Sequence, residues 1–168
     1  HPMIFYFSGT GNSAWAAGQL ARLTGDKSYN ITNLKELPDM GNAKKIGFVF
    51  PVYAWGAPEI VADFAKKLPR PQAFTFGVCT CGGDAGLTMK QFSKLYPLNS
   101  SYSLLMPNNY IIGSEPDATD EIFQKIAAAR EELERIALEI RRQEKVYRVH
   151  EGWMAGMKSH LADRKSVV

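Results

Sequence analysis

Short apolar runs alternate with amphipathic helical patterns along most of the chain. The apolar runs predict five strands, at Met3–Phe7, Tyr29–Ile31, Lys45–Phe50, Phe74–Cys79 and Tyr102–Met106. The segments between and after them predict four helices, at Asn12–Leu23, Pro58–Leu68, Leu87–Leu95 and Asp117–Glu144. The chain is therefore expected to form one α/β domain over residues 3–144, with a tail at residues 145–168.

This order of elements predicts a doubly wound α/β fold. Strands that alternate with helices form a parallel sheet with helices on both faces, and nearly continuous apolar strands are typical of such buried sheets. Ligands of open parallel sheets bind beyond the carboxyl ends of the strands. Candidate chemistry is therefore expected in the loops that follow the first, third and fourth strands.

Charge and hydropathy narrow the possible functions. No apolar run approaches the roughly 20 residues of a spanning helix, so we expect no membrane span and a cytoplasmic protein. Residues 141–168 contain 7 basic and 3 acidic residues, whereas residues 1–140 contain 13 and 14. Because the excess of positive charge belongs to the tail, the domain itself is not expected to bind nucleic acid.

The tail allows several interpretations. Trp153, Met157 and Leu161 recur at helical spacing, which predicts a terminal helix that packs on the domain or connects it to another. A docking surface for an acidic partner or a self-association face are the alternatives. The sequence does not indicate the oligomeric state.

The two cysteines, Cys79 and Cys81, are predicted to be ordinary reduced thiols. They lie two residues apart on a strand, where their Cα atoms are near the upper separation limit for a disulfide. Neither the cysteines nor the histidines have the spacing of metal ligands, so no metal site is predicted.

The loop after the first strand has the composition of an anion site. It consists of Ser8, Gly9, Thr10, Gly11, Asn12 and Ser13, and it opens directly into a helix. Glycines allow close approach of the backbone, and a helix N-terminus offers N–H donors with partial positive charge. The loop has no Lys or Arg, so it would bind a terminal phosphate through hydrogen bonds and the helix dipole.

Other phosphate loops fit this segment less well. A nucleoside-triphosphatase loop requires a lysine that is absent here. A dinucleotide site requires an acid near the end of the second strand, where the chain has Asn30, Ile31, Thr32 and Asn33. A tight turn with a polar helix cap is the remaining alternative, although it needs fewer hydroxyl groups than this loop has.

The segment Ser8–Ser13 resembles the phosphate-binding loop of flavodoxins, and the order of elements resembles that family over residues 3–144. The resemblance implies a flavodoxin-like three-layer sandwich with strand order 2-1-3-4-5 and non-covalently bound FMN. Residues 51–56 together with residues 106–110 are similar to the flavodoxin part of flavodoxin–ferredoxin fusion proteins of anaerobic prokaryotes. A redox partner protein, such as a ferredoxin-type iron–sulfur domain, is therefore implied. The chain itself has no Cys-x-x-Cys series for a cluster.

The other two loops are expected to hold the flavin ring. The third-strand loop consists of Pro51, Val52, Tyr53, Ala54, Trp55 and Gly56, and its aromatic residues either stack on the ring or merely cover the end of the sheet. The fourth-strand loop begins with Thr80, Cys81, Gly82, Gly83 and Asp84, and its backbone N–H groups would approach the pyrimidine end of the flavin. Asn108, Asn109 and Tyr110 either border the site or are turn residues.

The preferred function is electron transfer through bound FMN. The fourth-strand loop lacks the second stacking aromatic of many flavodoxins, so an FMN-dependent NAD(P)H or quinone oxidoreductase is the alternative. A flavodoxin-fold binding module without flavin is a second alternative. Only Asp84 and Glu59 are acidic near the three loops, which predicts that the fully reduced, anionic flavin is less disfavoured than in an acid-rich site.

Overall fold

A computed structural model describes residues 3–70, 72–107 and 116–153 of the chain. The strands are β1 (Met3–Tyr6), β2 (Lys27–Asn30), β3 (Lys45–Pro51), β4 (Phe74–Cys81), β5 (Ser100–Leu105) and β6 (Tyr147–Arg148). The helices are α1 (Asn12–Thr24), α2 (Glu59–Lys67), α3 (Thr88–Leu95) and α4 (Pro116–Arg141), and one 3₁₀ turn spans Ile31–Asn33.

The strands form one parallel sheet in the order β2-β1-β3-β4-β5-β6. The predicted α/β class and the order 2-1-3-4-5 are confirmed. The predicted number of strands, five, is too low, because a sixth strand, β6, extends the sheet beyond β5. It pairs Tyr147 with Ser101 and Arg148 with Tyr102.

Two apolar cores cover the two faces of the sheet, which explains the nearly continuous apolar strands. On one face, Leu20 of α1 and Leu133 and Ile136 of α4 are fully buried in the first core. On the other face, Val61 of α2 and Met89 of α3 are fully buried in the second core. The domain is thus a three-layer sandwich whose carboxyl edge remains available for loops.

Four elements differ from the sequence prediction by two residues or more at one end: β2 and β5 begin two residues earlier, β4 ends two residues later and α4 ends three residues earlier. Helix α4 ends at Arg141 because Gln143 adopts a left-handed conformation (φ 54°) and donates its N–H to the carbonyl of Ile140. The chain offers no glycine there, so its sequence predicted a longer helix. Strand β4 continues to Cys81, where the carbonyl accepts the N–H of Met106.

The helical spacing predicted for the tail begins at Trp153, where the described residues end. In the described part of the tail, Tyr147 and Arg148 form β6 of the sheet. We call residues 144–152 the terminal arm. Ser101 donates its N–H to Val146 and thereby begins the pairing that β6 continues. The domain boundary placed after residue 144 therefore does not separate these residues from the domain. Met157 and Leu161 of the predicted tail helix lie outside the described residues.

Arg148 fastens the terminal arm to α4. Its guanidinium forms a bidentate pair with Glu139 at 2.7 and 3.0 Å and reaches Glu132 at 2.6 Å. It also lies over the ring of buried Tyr102, 5.2 Å from the centroid. Hydrogen bonds from Arg148 lower the pKa of Glu139.

Among the helices in the described part of the chain, none is long and apolar enough to cross a membrane.

We expect Arg148→Ala to lower the free energy of unfolding by about 2 kcal/mol, because it leaves two partly buried carboxylates without their donor. Arg142→Ala is the matched control, with an expected loss below about 0.5 kcal/mol. The Arg142 side chain is 63% exposed and lies 3.9 Å from Glu144. Urea denaturation of the three proteins measures both losses, and equal losses would contradict the structural role of Arg148.

The difference in unfolding free energy between wild type and Arg148→Ala is expected to depend on pH. Because the pKa of Glu139 is lowered in the folded state, its pairing with Arg148 stabilises the fold fully above the unfolded-state value of about 4.3. That stabilisation is lost as the pH falls through the folded-state pKa. The stability difference between wild type and Arg148→Ala should therefore shrink in acid, and a difference independent of pH would be inconsistent with this pairing.

Candidate functional site

The loop between β1 and α1 presents backbone donors to solvent. Gly11 occupies the N-cap position of α1 with φ 99° and, as a glycine, supplies no side-chain cap. The first turn of α1 contains no acidic residue. Gly9, Thr10 and Gly11 are exposed, and Ser8 Oγ accepts the Gly11 N–H at 2.9 Å. A helix N-terminus in this state can bind an anion through its N–H groups and its dipole.

Two polar residues of this predicted loop face the protein. Ser13 is only 1% exposed, and its hydroxyl bonds that of Thr80 on β4 at 2.9 Å. The Asn12 amide donates to the carbonyl of Pro107 at 3.2 Å. The side chains of Asn12 and Ser13 therefore attach α1 to the neighbouring strand ends. Their backbone N–H groups belong to the first turn of α1, next to the loop.

The loop after β3 forms a tight two-residue hairpin. Tyr53 and Gly56 exchange two backbone hydrogen bonds of 2.8 Å. The two central residues, Ala54 and Trp55, both have positive φ, at 47° and 67°. This conformation costs energy for residues with a side chain, so its presence here indicates a constrained segment. The hairpin holds Tyr53 and Trp55 half-exposed, at 45% and 46%.

Each of these aromatic residues contacts one of the other two loops. The Tyr53 hydroxyl lies over Gly9. A Cβ added there would be 2.2 Å from the hydroxyl oxygen, so a side chain at this position would displace the Tyr53 ring. The Tyr53 ring also packs edge-on against Phe7, with centroids 6.0 Å apart. Trp55 lies against Gly86, where an added Cβ would be 2.9 Å from Cε3 and where φ is 60°. Tyr53 and Trp55 thus join the three loops into one surface.

The loop after β4 is shorter than predicted. Thr80 and Cys81 lie within the strand, because they pair with Leu104 and Leu105 of β5. Burial raises the pKa of the Cys81 thiol, and its Sγ donates to the Gly83 carbonyl at 3.1 Å. Cys79 and Cys81 are free thiols, as predicted.

The exposed part of this loop consists of Gly82, Gly83 and Asp84. The next two residues are buried, and the terminal arm accepts their N–H groups. Ala85 donates to the carbonyl of His150 at 2.8 Å, and Gly86 donates to that of Glu151 at 3.1 Å. His150 Nε2 also lies 2.9 Å from Asp84 Oδ1.

Sequence reasoning did not assign the arm to this site. The segment Val146-Tyr147-Arg148-Val149 is rich in residues that favour strands, and it follows a helix in a β-α-β order. That local pattern was the available signal. The helical spacing that starts at Trp153 favoured a different interpretation.

A cavity of about 730 Å³ adjoins the fourth-strand loop on the side of β5 and α4. Cys81, Gly83 and His150 border both the cavity and the loop. Leu104 and Leu105 of β5 and Ala128 and Ala129 of α4 supply apolar walls, and charged residues of α4 supply a polar rim. The loops after β1 and β3 do not line this cavity, so it is a neighbouring space. Asn108, Asn109 and Tyr110 lie outside the described residues.

No protein-family model matches the sequence, and no curated protein matches it. A solved structure of a candidate flavoprotein from Bacteroides eggerthii DSM 20697 aligns with a TM-score of 0.55 and 20% identity, covering 75% of this chain and 97% of that one. A flavodoxin from the domain Archaea aligns with a TM-score of 0.54 and 10% identity, covering 84% and 99%. The chain has a flavodoxin-like fold.

An azoreductase from Bacillus anthracis str. Sterne is also similar, with a TM-score of 0.53, 12% identity and coverage of 81% of this chain and 98% of that one. A flavodoxin and an azoreductase are thus both similar to this chain in fold. At such identities the alignments establish the architecture, and function has to be argued from the site itself.

We expect Ser13→Ala to cost about 1–2 kcal/mol of stability, because the buried Thr80 hydroxyl loses its partner. The double variant Ser13→Ala/Thr80→Val removes both hydroxyls and should return to within about 0.5 kcal/mol of wild type. Thermal and urea unfolding of the four proteins in the cycle measure the coupling. Additive losses would contradict the pairing of the two hydroxyls.

Proposed function

We propose that this chain binds FMN non-covalently and uses it to transfer electrons to and from redox partner proteins. The observation that carries the proposal is the single surface formed by three loops. On it, the N-terminus of α1, whose N-cap residue is a glycine, adjoins two half-exposed aromatic residues through the contact of Tyr53 with Gly9. A ligand with a phosphate at one end and a flat ring at the other matches this arrangement.

The first loop fits the phosphate. Backbone N–H groups at the start of α1, together with the Ser8 and Thr10 hydroxyls, would donate to the phosphate oxygens. The Gly9 and Gly11 backbone would allow close approach, and the Asn12 and Ser13 N–H groups lie in the first turn of the helix. The Tyr53 hydroxyl against Gly9 adds a further polar group at this loop.

The second and third loops fit the ring. Tyr53 and Trp55 would offer flat faces, held by the hairpin over residues 51–56. The flavodoxin resemblance implies that the backbone at Gly56 rearranges when the flavin is reduced. Gly82, Gly83 and Asp84 are exposed and would border the pyrimidine end. The N–H groups of Ala85 and Gly86 already have partners, so they are not donors to the ring.

When bound, FMN supplies one-electron and two-electron redox chemistry. The protein would hold the phosphate, orient the ring and set the charge around it. The flavodoxin resemblance further implies a ferredoxin-type iron–sulfur domain as a redox partner.

An FMN-dependent oxidoreductase is the second candidate function. The cavity of about 730 Å³ beside Cys81 and Gly83 favours it, because an enzyme needs space for a substrate next to the flavin. Steady-state turnover with NAD(P)H and quinones would identify an enzyme. Reduction only by a partner reductase would identify a carrier.

The proposal is tested by the visible spectrum of the purified protein after FMN is added and the excess removed. We expect a flavin spectrum that stays with the protein. Thr10→Glu should abolish retention, because a bulky acid at the loop repels the phosphate. Thr32→Glu, an equally exposed threonine in the 3₁₀ turn, is the matched control and should retain FMN. Wild-type protein that keeps no flavin would overturn the proposal and favour a module without flavin.

Trp55→Ala should weaken FMN binding about fivefold, because a stacking aromatic contributes roughly 1 kcal/mol. It should also shift the reduction potentials. Phe123→Ala is the control, because Phe123 is exposed on α4 and belongs to none of the three loops. Fluorescence titration measures the affinities, and unchanged values for Trp55→Ala would remove Trp55 from the site.

A further inference from the structure

The terminal arm connects the far edge of the sheet to the fourth-strand loop. Val146 donates its N–H to Ser100 Oγ at 3.0 Å, and His150 donates its N–H to Ser103 Oγ at 2.8 Å. Arg148 holds the middle of the arm to α4. The arm is thus attached to the domain independently of the loop, and it approaches Asp84 along a fixed path.

The arm then determines the shape of the loop. The carbonyls of His150 and Glu151 accept the two buried N–H groups of Ala85 and Gly86. Gly152, with φ 89°, lies so close to Asp84 that an added Cβ would be 2.5 Å from Oδ2. Because Trp55 lies against Gly86, the arm also supports the aromatic hairpin through this loop.

Each acidic side chain at this junction has a basic or hydroxyl partner. Asp84 lies 2.9 Å from His150 Nε2. Glu151 lies 3.0 Å from Lys90 Nζ and accepts a hydrogen bond from Tyr147. Asp84 is the one acid within the proposed ring-binding loops, so its partner bears directly on the charge near the flavin.

We propose that the terminal arm completes the flavin site, with His150 as a positioning residue that offsets the negative charge of Asp84. This inference rests on the proposed binding of FMN. An unpartnered carboxylate beside the ring disfavours a negative charge on the ring. A donor on that carboxylate reduces the repulsion, so the fully reduced, anionic flavin is held more tightly relative to the oxidised form.

The decisive experiment is a double-variant cycle in the full chain. His150→Ala removes a side chain that is 75% exposed and leaves its backbone bond to Ala85 in place, so folding should be preserved. We expect it to weaken the binding of fully reduced FMN about 3- to 10-fold relative to one-electron-reduced FMN. Tenfold corresponds to a shift of about −59 mV in a one-electron potential.

Asp84→Asn provides the matched background. In this background the carboxylate is absent, so His150→Ala should no longer shift the second one-electron potential. Redox titrations of the four proteins measure the reduction potentials of bound FMN. Fluorescence titrations measure their affinities for oxidised FMN. A shift of equal size in both backgrounds, or no shift in either, overturns the inference while wild-type FMN binding remains. Wild-type protein without FMN overturns the proposed function and this inference together.

A second variant tests the backbone part of the arm. Gly152→Ala places a Cβ against Asp84 and forces a strained φ, so the arm has to move away from the loop. We expect a 3- to 10-fold loss of affinity for oxidised FMN. Gly18→Ala is the control, because an added Cβ there meets nothing within 4 Å. Equal affinity of the Gly152→Ala protein and the control would exclude the arm from the site.

Discussion

The parallel pairing of β1, β3 and β4 is the constraint on which the rest of the site depends. Parallel strands end at the same edge of a sheet, so the three loops that follow them begin side by side. Hydrogen bonds continue this alignment past the strands, since Phe7 donates its N–H to Val49 and Val52 donates to Thr80, each at 3.1 Å. The contacts of Tyr53 with Gly9 and of Trp55 with Gly86 are consequences of this shared edge.

The sequence predicted the parts of the structure that depend on local patterns. The apolar runs of β1, β3 and β4 and the helix that begins at Asn12 follow from periodicity and glycine position. Contacts between distant residues could not be predicted in this way. The bond between Ser13 and Thr80 joins positions 67 residues apart, and neither residue has a neighbouring signal for it.

The terminal arm shows how tertiary contacts override local preference. The tail contains apolar residues at helical spacing, which favour a separate helix, and an excess of basic residues, which favours an acidic partner. Tyr147 and Arg148 of the tail are instead extended, because they pair with the edge of β5 and because Glu132 and Glu139 of α4 attract Arg148. The positive charge of Arg148 is thus used inside the fold, which leaves less of it for an external partner.

The terminal arm is synthesised after the loop that it contacts. The loop that contains Ala85 and Gly86 leaves the ribosome well before residues 150 and 151, whose carbonyls it needs. Until those carbonyls arrive, both N–H groups must stay hydrated, because an unpaired buried donor is costly. The N–H groups of Ala85 and Gly86 can therefore be buried with these partners only once the terminal arm is in place.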